Sequence, residues 1–577
     1  MTAHDEAQSV SALAPLRVTM YRRLWIATVI SGLGTFIQLT AAPWLMLQMT
    51  GSPLLVSLVT TALLLPQLLL TLPAGALADV VDRRKLLVVS QMTSAAAVAV
   101  MAVLAHLDRL TPAWLLGLTF ALGCGNAAGQ PSFQTLVPAL VPRPMLAQAI
   151  TLTSGSFNVA RAVGPSIGGA LVAAGLTQAA FGINALSYLA VIGVLLSLPK
   201  DGSDDTRTRR LWRSTLAGVR YARFTRPIRV LLAVTAAFSL TSASVQALLP
   251  AVAADELGQG AAGFGILFGA FGLGALVAAL TRERVRLLSG HRMLPGSVVG
   301  FALAGMVLGF ATTLPVAVVA SAVAGTCWVW TVTTLNASVQ MLAPSYIRGR
   351  VVSLFVLTFG LQPVGAVLAG LLAEAFGPGD AVAIMAAAGL ALGLVLLRLD
   401  LPVLGELDEP APAEPGWSIG EHPVVVGGRP IVVLTTWNVA QERLPAFLEV
   451  LAELRRQRLR TGATRWSLFR DAGRPEIVTE MYSVPDWAEH LLQHRRLDAE
   501  AAEVLTRARA FDREARPTTR HLAGLDVSGR NPPEISDQFL TVHDELHRTD
   551  GSLPIAADLG PRVSVADPPS GSDATKA

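Results

Sequence analysis

GALADVVDRRKLLV, residues 75–88, sets a knot of charge, Asp82-Arg83-Arg84-Lys85, between two long runs of leucine, alanine and valine. A bilayer crossing needs roughly 20 mostly apolar residues as helix, and the runs on both sides meet that length. The knot is then the turn between two spans. Arg83, Arg84 and Lys85 stay in the headgroup zone and resist translocation. Gly75 and Ala76 leave room for a neighbouring helix to approach closely. Asp79 falls in the last turn of its helix, where the macrodipole disfavours an anion. It either pairs with a basic group on this loop or across the bundle, holding a closed state, or sits in water beyond the helix end.

The rest of the chain has the same character as far as about residue 400. Of its 577 residues 52% are hydrophobic and only 15% are charged, and the mean hydropathy is +0.51. Twelve apolar spans are predicted, near 24–47, 53–78, 86–106, 112–135, 149–174, 179–198, 229–252, 261–281, 293–311, 314–337, 350–374 and 380–398. With the N-terminus inside, the inside turns carry Arg143, Arg282, Arg284, Arg286, Arg292, Arg348 and Arg350, while Arg109 is the one arginine in the short outside turns. That alternation is the positive-inside pattern and puts both termini in the cytoplasm. The formal charge of +4 therefore speaks for membrane topology and not for nucleic-acid binding. Cys124 and Cys327 both lie in apolar segments and read as small buried side chains, not as a disulfide or a metal site. The N-terminus opens polar and acidic and does not read as a secretory signal.

The predicted fold is an all-α polytopic membrane protein with twelve transmembrane helices in two six-helix bundles, followed by a small α+β ferredoxin-like cytoplasmic domain. The divisions are a cytoplasmic N-terminus (1–22), a first bundle (23–198), a central cytoplasmic loop (199–228), a second bundle (229–400), a linker (401–429), the ferredoxin-like domain (430–524) and a largely disordered tail (525–577). The halves echo each other: FQTLVPALV at 133–141 recurs as VQMLAPSYI at 339–347, and GPSIGG at 164–169 has its counterpart in QPVGAVLAG at 362–370. Parallel repeats of this kind face each other across a central path. The loop segment LWRSTLAGVRYARFTRPIR reads as an amphipathic helix with Leu211, Trp212, Leu216, Val219, Tyr221 and Phe224 on the inner headgroup layer.

Polar groups at membrane depth are expensive and face the bundle interior. The candidates for the transport path are Gln38, Gln67, Asn126, Gln130, Asn158, Arg161, Gln246, Trp328, Asn336, Gln340 and Gln362. Gln134 and Trp330 have the same character. Each amide serves equally well as an interhelical hydrogen-bonding group, and each tryptophan as an interface anchor. Arg161 lies about three turns into its span, so it needs a buried partner or a water-filled cavity. Gly164, Pro165, Gly168 and Gly169 thin and bend their helix. The glycines of GILFGAFGLGAL at 265–276 form no phosphate cradle. They lie inside an apolar span, and Gly265 and Gly269 read as a packing pair.

Beyond the linker, IVVLTTWNV (431–439), ATRWSLFRD (463–471), EIVTEMYSV (476–484) and TTRHLAG (518–524) read as strands. The helix at 442–460 has Leu444, Phe447, Leu448, Leu451 and Leu454 at helical spacing, and a second covers about 485–494, with further helical sequence after it. The order β-α-β-β-α-β is the ferredoxin-like plan. His490 and His494 share a helix face but lack the further ligands of a metal set, and read as solvated or dimer-facing. No catalytic residue, cofactor or metal is expected.

The opening stretch resembles the signature between the second and third helices of the major facilitator superfamily. Gly75, Asp79, Arg83, Arg84 and Lys85 match it, with Val80 in place of an arginine and Asp82 in place of a glycine. GTFIQ at 34–38, QMTGS at 48–52, Phe157-Asn158 with Arg161, GPSIGG, and Ile347-Arg348-Gly349-Arg350-Val351 resemble its transmembrane secretion effector branch. Trp466, Phe469, Trp487-Ala488-Glu489-His490, Gln493-His494-Arg495 and Arg520-His521 are similar to an antibiotic-biosynthesis-monooxygenase-like domain.

The resemblance implies a secondary active transporter in the cell inner membrane that exports a small amphipathic molecule, a siderophore, drug or secondary metabolite, by alternating access. It further implies proton coupling, gating through Gly75, Asp79, Arg83, Arg84, Lys85, Arg348 and Arg350, and dimerisation through the C-terminal domain. The partners are then a small-molecule substrate and the lipid bilayer, with no nucleic acid. The alternatives are an importer of the same fold, or a membrane-anchored ligand sensor or small oxygenase acting through the C-terminal domain. A cysteine placed at position 84 is expected to resist membrane-impermeant thiol reagents in intact cells and to react in inside-out vesicles; labelling from outside would overturn the threading.

Overall fold

In hydrocarbon every backbone N–H and C=O must be satisfied within its own segment, which makes spanning sequence helical. The computed structural model, which describes residues 11–197, 211–398 and 430–524 apart from 12, 81, 345–346, 498 and 515–516, follows this rule. Its first half contains α1 (Thr19–Thr50), α2 (Pro53–Val80), α3 (Arg83–His106), α4 (Pro112–Leu140), α5 (Leu146–Ala173) and α6 (Thr177–Leu196). A shorter helix, α7 (Leu211–Phe224), leads into α8 (Arg226–Ala251), α9 (Ala261–Ser289), α10 (Met293–Gly309), α11 (Leu314–Leu342), α12 (Arg348–Phe359), α13 (Gln362–Phe376) and α14 (Pro378–Arg398). Among the described residues nine stretches are long and apolar enough to cross a membrane. Two of them hold two α-helices each, Ala261–Gly309 with α9 and α10 and Arg348–Phe376 with α12 and α13, and α4 and α5 are not among the nine.

Each expected span falls on helix, but 350–374 is not one helix. It is broken into α12 and α13 at Gly360-Leu361. Pro363 sits in the first turn of α13, where its missing N–H costs nothing but its ring would clash with an uninterrupted preceding turn. Pro165, by contrast, lies inside an unbroken α5. In α7, Tyr221 is buried and not laid on the headgroup layer, while Val219 is exposed. Leu211, Trp212 and Leu216 lie outside the residues whose surroundings are described. A methyl group on Gly218 would come within 2.9 Å of the Arg350 Cβ, so α7 lies close against α12 there.

Glycines set the helix contacts. A methyl group on Gly265 of α9 would lie 2.7 Å from the Pro165 carbonyl oxygen and 2.9 Å from the Gly169 Cα of α5. Gly269 faces Ser166, and Gly272 faces the backbone of Arg161 and Ala162. On the α1 side of α5, Gly164 meets the Phe36 Cβ at 2.5 Å and Gly168 the Ile37 carbonyl oxygen at 2.7 Å. A second contact between the halves joins α2 to α13, where Gly370 abuts Ser57 and Leu54.

The chain divides into two compact units. The second contains β1 (Ile431–Asn438), β2 (Arg465–Arg470), β3 (Ile477–Val484) and β4 (Thr518–Ala523), with the greater part of α15 (Leu444–Thr461) between β1 and β2, and α16 (Trp487–Arg495) and the greater part of α17 (Ala499–Arg509) between β3 and β4. The sheet order is β2-β3-β1-β4, every pair antiparallel. Alternate residues of β1 and β3 are buried, among them Ile431, Val433, Trp437, Val478, Tyr482 and Val484, the period of a strand with one face in the core. Phe447 of α15 packs with tilted rings between Trp437 (5.5 Å) and Phe511 (5.8 Å). Leu448, expected on the apolar face of that helix, is 43% exposed instead. The β2–β3 turn is tied by the Asp471 carboxylate, which accepts from the Arg474 and Gly473 backbone N–H groups, and these bonds hold its carboxyl below the usual carboxylate range.

Replacing Gly265 by leucine is expected to push α5 and α9 apart, at a cost of roughly 1–3 kcal/mol or more. Gly296→Ala, where a methyl group meets nothing within 4 Å, is expected to be neutral. Thermal unfolding of the two purified variants checks both, and equal melting temperatures would remove the packing role assigned to Gly265.

Candidate functional site

A cavity of about 320 Å³ lies inside the first unit, lined by α1, α2, α4, α5 and α6 from one half and by α8, α9, α11, α12 and α13 from the other. Its polar lining includes Gln38, Gln67, Arg161, Asn184, Gln246 and Gln362, with Thr35, Thr60 and Thr119. Its apolar wall is largely aromatic: Phe36, Phe157, Phe264, Phe268, Phe271, Trp328 and Phe359.

The polar groups differ in how far they are committed. Asn184 Nδ2 donates to Gln38 Oε1, and Gln38 Nε2 reaches the Met101 sulfur at 3.6 Å. Ser187 Oγ holds Asn184 in turn through Oδ1 at 3.1 Å. Gly34 leaves space for this pair, since a methyl group there would sit 2.8 Å from Asn184 Oδ1. The side chains of Gln246 and Gln362 make no hydrogen bond with the described residues, so their amides keep their full capacity. The buried Trp328 indole N–H likewise has no partner among them.

Arg161 is half-buried and surrounded by rings, with its guanidinium carbon 5.0 Å from the centre of Phe157, 5.2 Å from Trp328 and 5.8 Å from Phe36. Phe36 and Phe157 pack edge-on at 5.4 Å. Trp328 lies 6.2 Å from Phe271 and 6.0 Å from Phe359. This cage draws on α1 and α5 of the first half and α11 of the second, the latter two held near each other through α9.

Of the expected path residues, Gln38, Gln67, Arg161, Gln246, Trp328 and Gln362 line this cavity, and Asn126, Gln130, Asn158, Asn336 and Gln340 do not. Asn126 is exposed and accepts from Ser94 Oγ at 3.4 Å. Gln130 is exposed, and Asn158 is half-buried on α5. Gln340 donates to Asn336 at 2.9 Å along its own helix. Trp330 donates to the Ala278 carbonyl at 3.1 Å and so fastens α11 to α9. Sequence reasoning missed Asn184 and most of the phenylalanines. The signal was present for three of them, because Phe264, Phe268 and Phe271 recur at the i, i+4, i+7 spacing of one helix face.

The opening charge knot does local work. Asp82 caps α3, its carboxylate accepting from the Arg84 N–H at 2.9 Å and the Lys85 N–H at 3.2 Å, a placement suited to the positive end of a helix. Arg84 donates through Nε to the Leu195 carbonyl at 2.9 Å and through Nη2 to that of Leu196, supplying the last turn of α6 with donors. Lys85 is exposed. Arg348 Nε donates to the Ala343 carbonyl at 3.1 Å. Gly75, Asp79 and Arg83 lie outside the residues whose surroundings are described, and so do Gln134 and Arg143. At the opposite end of α2, Glu374 of α13 accepts from Ser52 Oγ at 3.1 Å and from the Leu54 N–H at 3.4 Å, so a carboxylate from one half caps a helix start in the other. Thr61 Oγ1 extends the same seam, donating to the Pro363 carbonyl at 3.3 Å.

In the second unit, His490 is buried, contrary to a solvated histidine. Its ring lies 4.6 Å from His494, 4.7 Å from His521 and 5.1 Å from Trp487. Trp466 donates to the buried Glu480 at 2.9 Å. Among the described residues no group of three or more His, Cys, Asp or Glu is placed to hold a metal ion.

Comparison with known proteins agrees with this architecture. The multidrug efflux pump Tap of Mycolicibacterium fortuitum is 30% identical over 399 residues, 66% of this chain and 95% of that protein. The enterobactin exporter EntS of Escherichia coli O1:K1 / APEC is 29% identical over 343 residues, 58% of this chain and 79% of that one. Among solved structures, the nucleoside transporter NupG shares the fold, with a TM-score of 0.55 at 13% identity over 66% of this chain and 98% of that chain. A family model described as transmembrane secretion effector matches residues 10–526. The chain is thus a multi-pass membrane protein that belongs to the transmembrane secretion effector family.

Proposed function

We propose that this protein is a secondary active transporter that exports a small amphipathic molecule, such as a drug, siderophore or secondary metabolite. It works by rocking two six-helix bundles, residues 23–198 and 229–400, about the central cavity. The observation that carries this reading is the cavity itself, built from both halves and combining aromatic walls with two amides, Gln246 and Gln362, that make no hydrogen bond among the described residues. Such a lining holds an amphipathic guest by stacking and by a few directed bonds. Likeness to the efflux pump Tap and to the enterobactin exporter supports the direction and the class of cargo.

In this reading the chain crosses the inner membrane twelve times with both termini cytoplasmic, as its arginine-bearing turns require. The contacts of Gly169 with Gly265, Gly370 with Ser57 and Glu374 with Ser52 then lie at the outer end of the bundle. They correspond to a state closed to the outside. The turn residues Gly75, Asp79, Arg83, Arg84, Lys85, Arg348 and Arg350 gate the inner end. Proton coupling belongs to the same proposal and rests on the family. No carboxylate lines the cavity among the described residues, which points for the coupling acid to the span ends, where Asp79 and Glu374 stand in the sequence.

The domain at 430–524 is ferredoxin-like in this proposal, supported by the antiparallel order β2-β3-β1-β4. It serves as a dimerising or ligand-sensing annex joined by a linker at 401–429. That linker and the tail at 525–577 lie outside the described residues.

Cells lacking the chain are expected to retain one family of small molecules that the parent strain releases, read by untargeted comparison of cell and medium; identical profiles would overturn export. Transport that collapses when residues 430–577 are deleted would make the annex part of the transport cycle. Glu374→Gln should weaken the outer seam and raise the outward-open fraction by about two- to fivefold, given the size of charge–helix-end interactions. Spin-label distances between the outer ends of α2 and α13 check this, and an unchanged distribution would remove Glu374 as a latch.

A further inference from the structure

Arg161 is the one charged side chain in the cavity lining among the described residues. The rings of Phe36, Phe157 and Trp328 surround its guanidinium at 5.0–5.8 Å. Ring faces attract the cation through their quadrupoles. They do not occupy its N–H groups as oxygen atoms would. No carboxylate or carbonyl among the described residues takes a hydrogen bond or forms an ion pair with this side chain. An arginine does not lose its proton, and a charge kept at membrane depth without a counter-ion is costly and marks a functional position. The neighbouring polar groups point to the same chemistry. The Trp328 indole N–H is a donor only and has no partner among the described residues. The amides of Gln246 and Gln362 can add further N–H donors.

Charge and shape together therefore define the guest. A cationic molecule entering this space meets a like charge with no carboxylate to offset it among the described lining residues. An anionic group meets a planar guanidinium fork held by rings, with further donors nearby, and such charge-assisted bonds are the strong ones. Of the α9 phenylalanines that line the cavity, Phe264 is already stacked between Trp44 and Phe268, so the half-buried Phe268 offers a flat ring an aromatic wall. A cavity of about 320 Å³ is at the lower end of the range that takes a drug-sized ligand.

We propose that the cavity selects planar aromatic molecules bearing an acidic group, a carboxylate or phenolate, that Arg161 reads this group, and that aromatic cations are excluded. This rests on the export reading above and sharpens its cargo class.

The test uses the full chain in nanodiscs of zwitterionic lipid and three probes on one aromatic body: 1-pyrenebutyrate, neutral 1-pyrenebutanol and cationic 1-pyrenebutylammonium. Binding is read by energy transfer from tryptophan to pyrene. The carboxylate is expected to bind about tenfold more tightly than the alcohol, the scale of one charged hydrogen bond, and the cation most weakly. Arg161→Gln should bring carboxylate and alcohol within about twofold of each other, while Arg161→Lys should keep the order. The order of the three probes on the unmodified chain, together with Arg161→Lys, decides the matter even if Arg161→Gln fails to fold.

A cation that binds as tightly as the carboxylate, an Arg161→Gln variant that keeps the full preference, or no binding of any probe overturns the inference. Efflux of the same probes from proteoliposomes separates it from the export reading. Charge-ordered binding with no efflux of any probe supports the inference and overturns export. Efflux of all three without order overturns the inference and leaves export standing.

Discussion

Close backbone approach along α9 is the contact on which the rest of the bundle depends. Lipid tails are as apolar as leucine, so helices in a bilayer gain little by burying apolar side chains against each other and associate through packing at short range. α9 meets α5 through Gly265, Gly269 and Gly272. It meets α11 through Gly274 against the Ala322 carbonyl and through Phe271, whose carbonyl lies against Gly325. One helix thus joins the two halves largely backbone to backbone, with the Ser166 hydroxyl between them at Gly269. Its consequence is chemical: with α5 and α11 both drawn to α9, Arg161 and Trp328 share one space with Phe271.

That space divides its polar groups between structure and chemistry. Gln38 and Asn184 are spent on each other and on Ser187 and Met101, which fixes α1 to α6 and α3. Gln246 and Gln362 are not spent in this way. A pinned amide gives a wall its shape, whereas an uncommitted one must be satisfied by water or by a guest. The same economy governs the turns. Arg84 reads in sequence as a topology marker and Asp82 only as a departure from the family signature, and in the structure each satisfies a helix end that would otherwise leave backbone groups unpaired.

The C-terminal unit follows the other solvent. In water one face of a sheet can be wet, so β1 and β3 alternate buried and half-buried residues where the bundle helices show little periodicity at all. The polar residues inside this unit are clustered. Glu480 accepts from Trp466 beneath the sheet, and His521 of β4 joins Trp487 and the helix face that His490 and His494 share.

The order of the helices and the strands was legible in the sequence because hydropathy and alternation are local properties: any window of residues carries them whatever surrounds it. So were most of the polar residues at depth, since hydrocarbon makes such groups conspicuous, although Asn184, the partner of Gln38, was not among them. Which of them share a cavity was not legible. Gln340 bonds along its own helix to Asn336 while Gln362 faces the cavity, and nothing within either segment separates the two. Phenylalanine is equally at home against lipid and against a guest, which hid most of the aromatic wall. The break between α12 and α13 escaped because proline is tolerated in spanning helices when neighbours repair the backbone, as in α5. The sequence by itself determined the solvent, the helices and the charge of the turns. Only the tertiary structure decided which faces meet, because in a nearly uniform apolar helix the facing side is chosen by packing between segments distant in the chain.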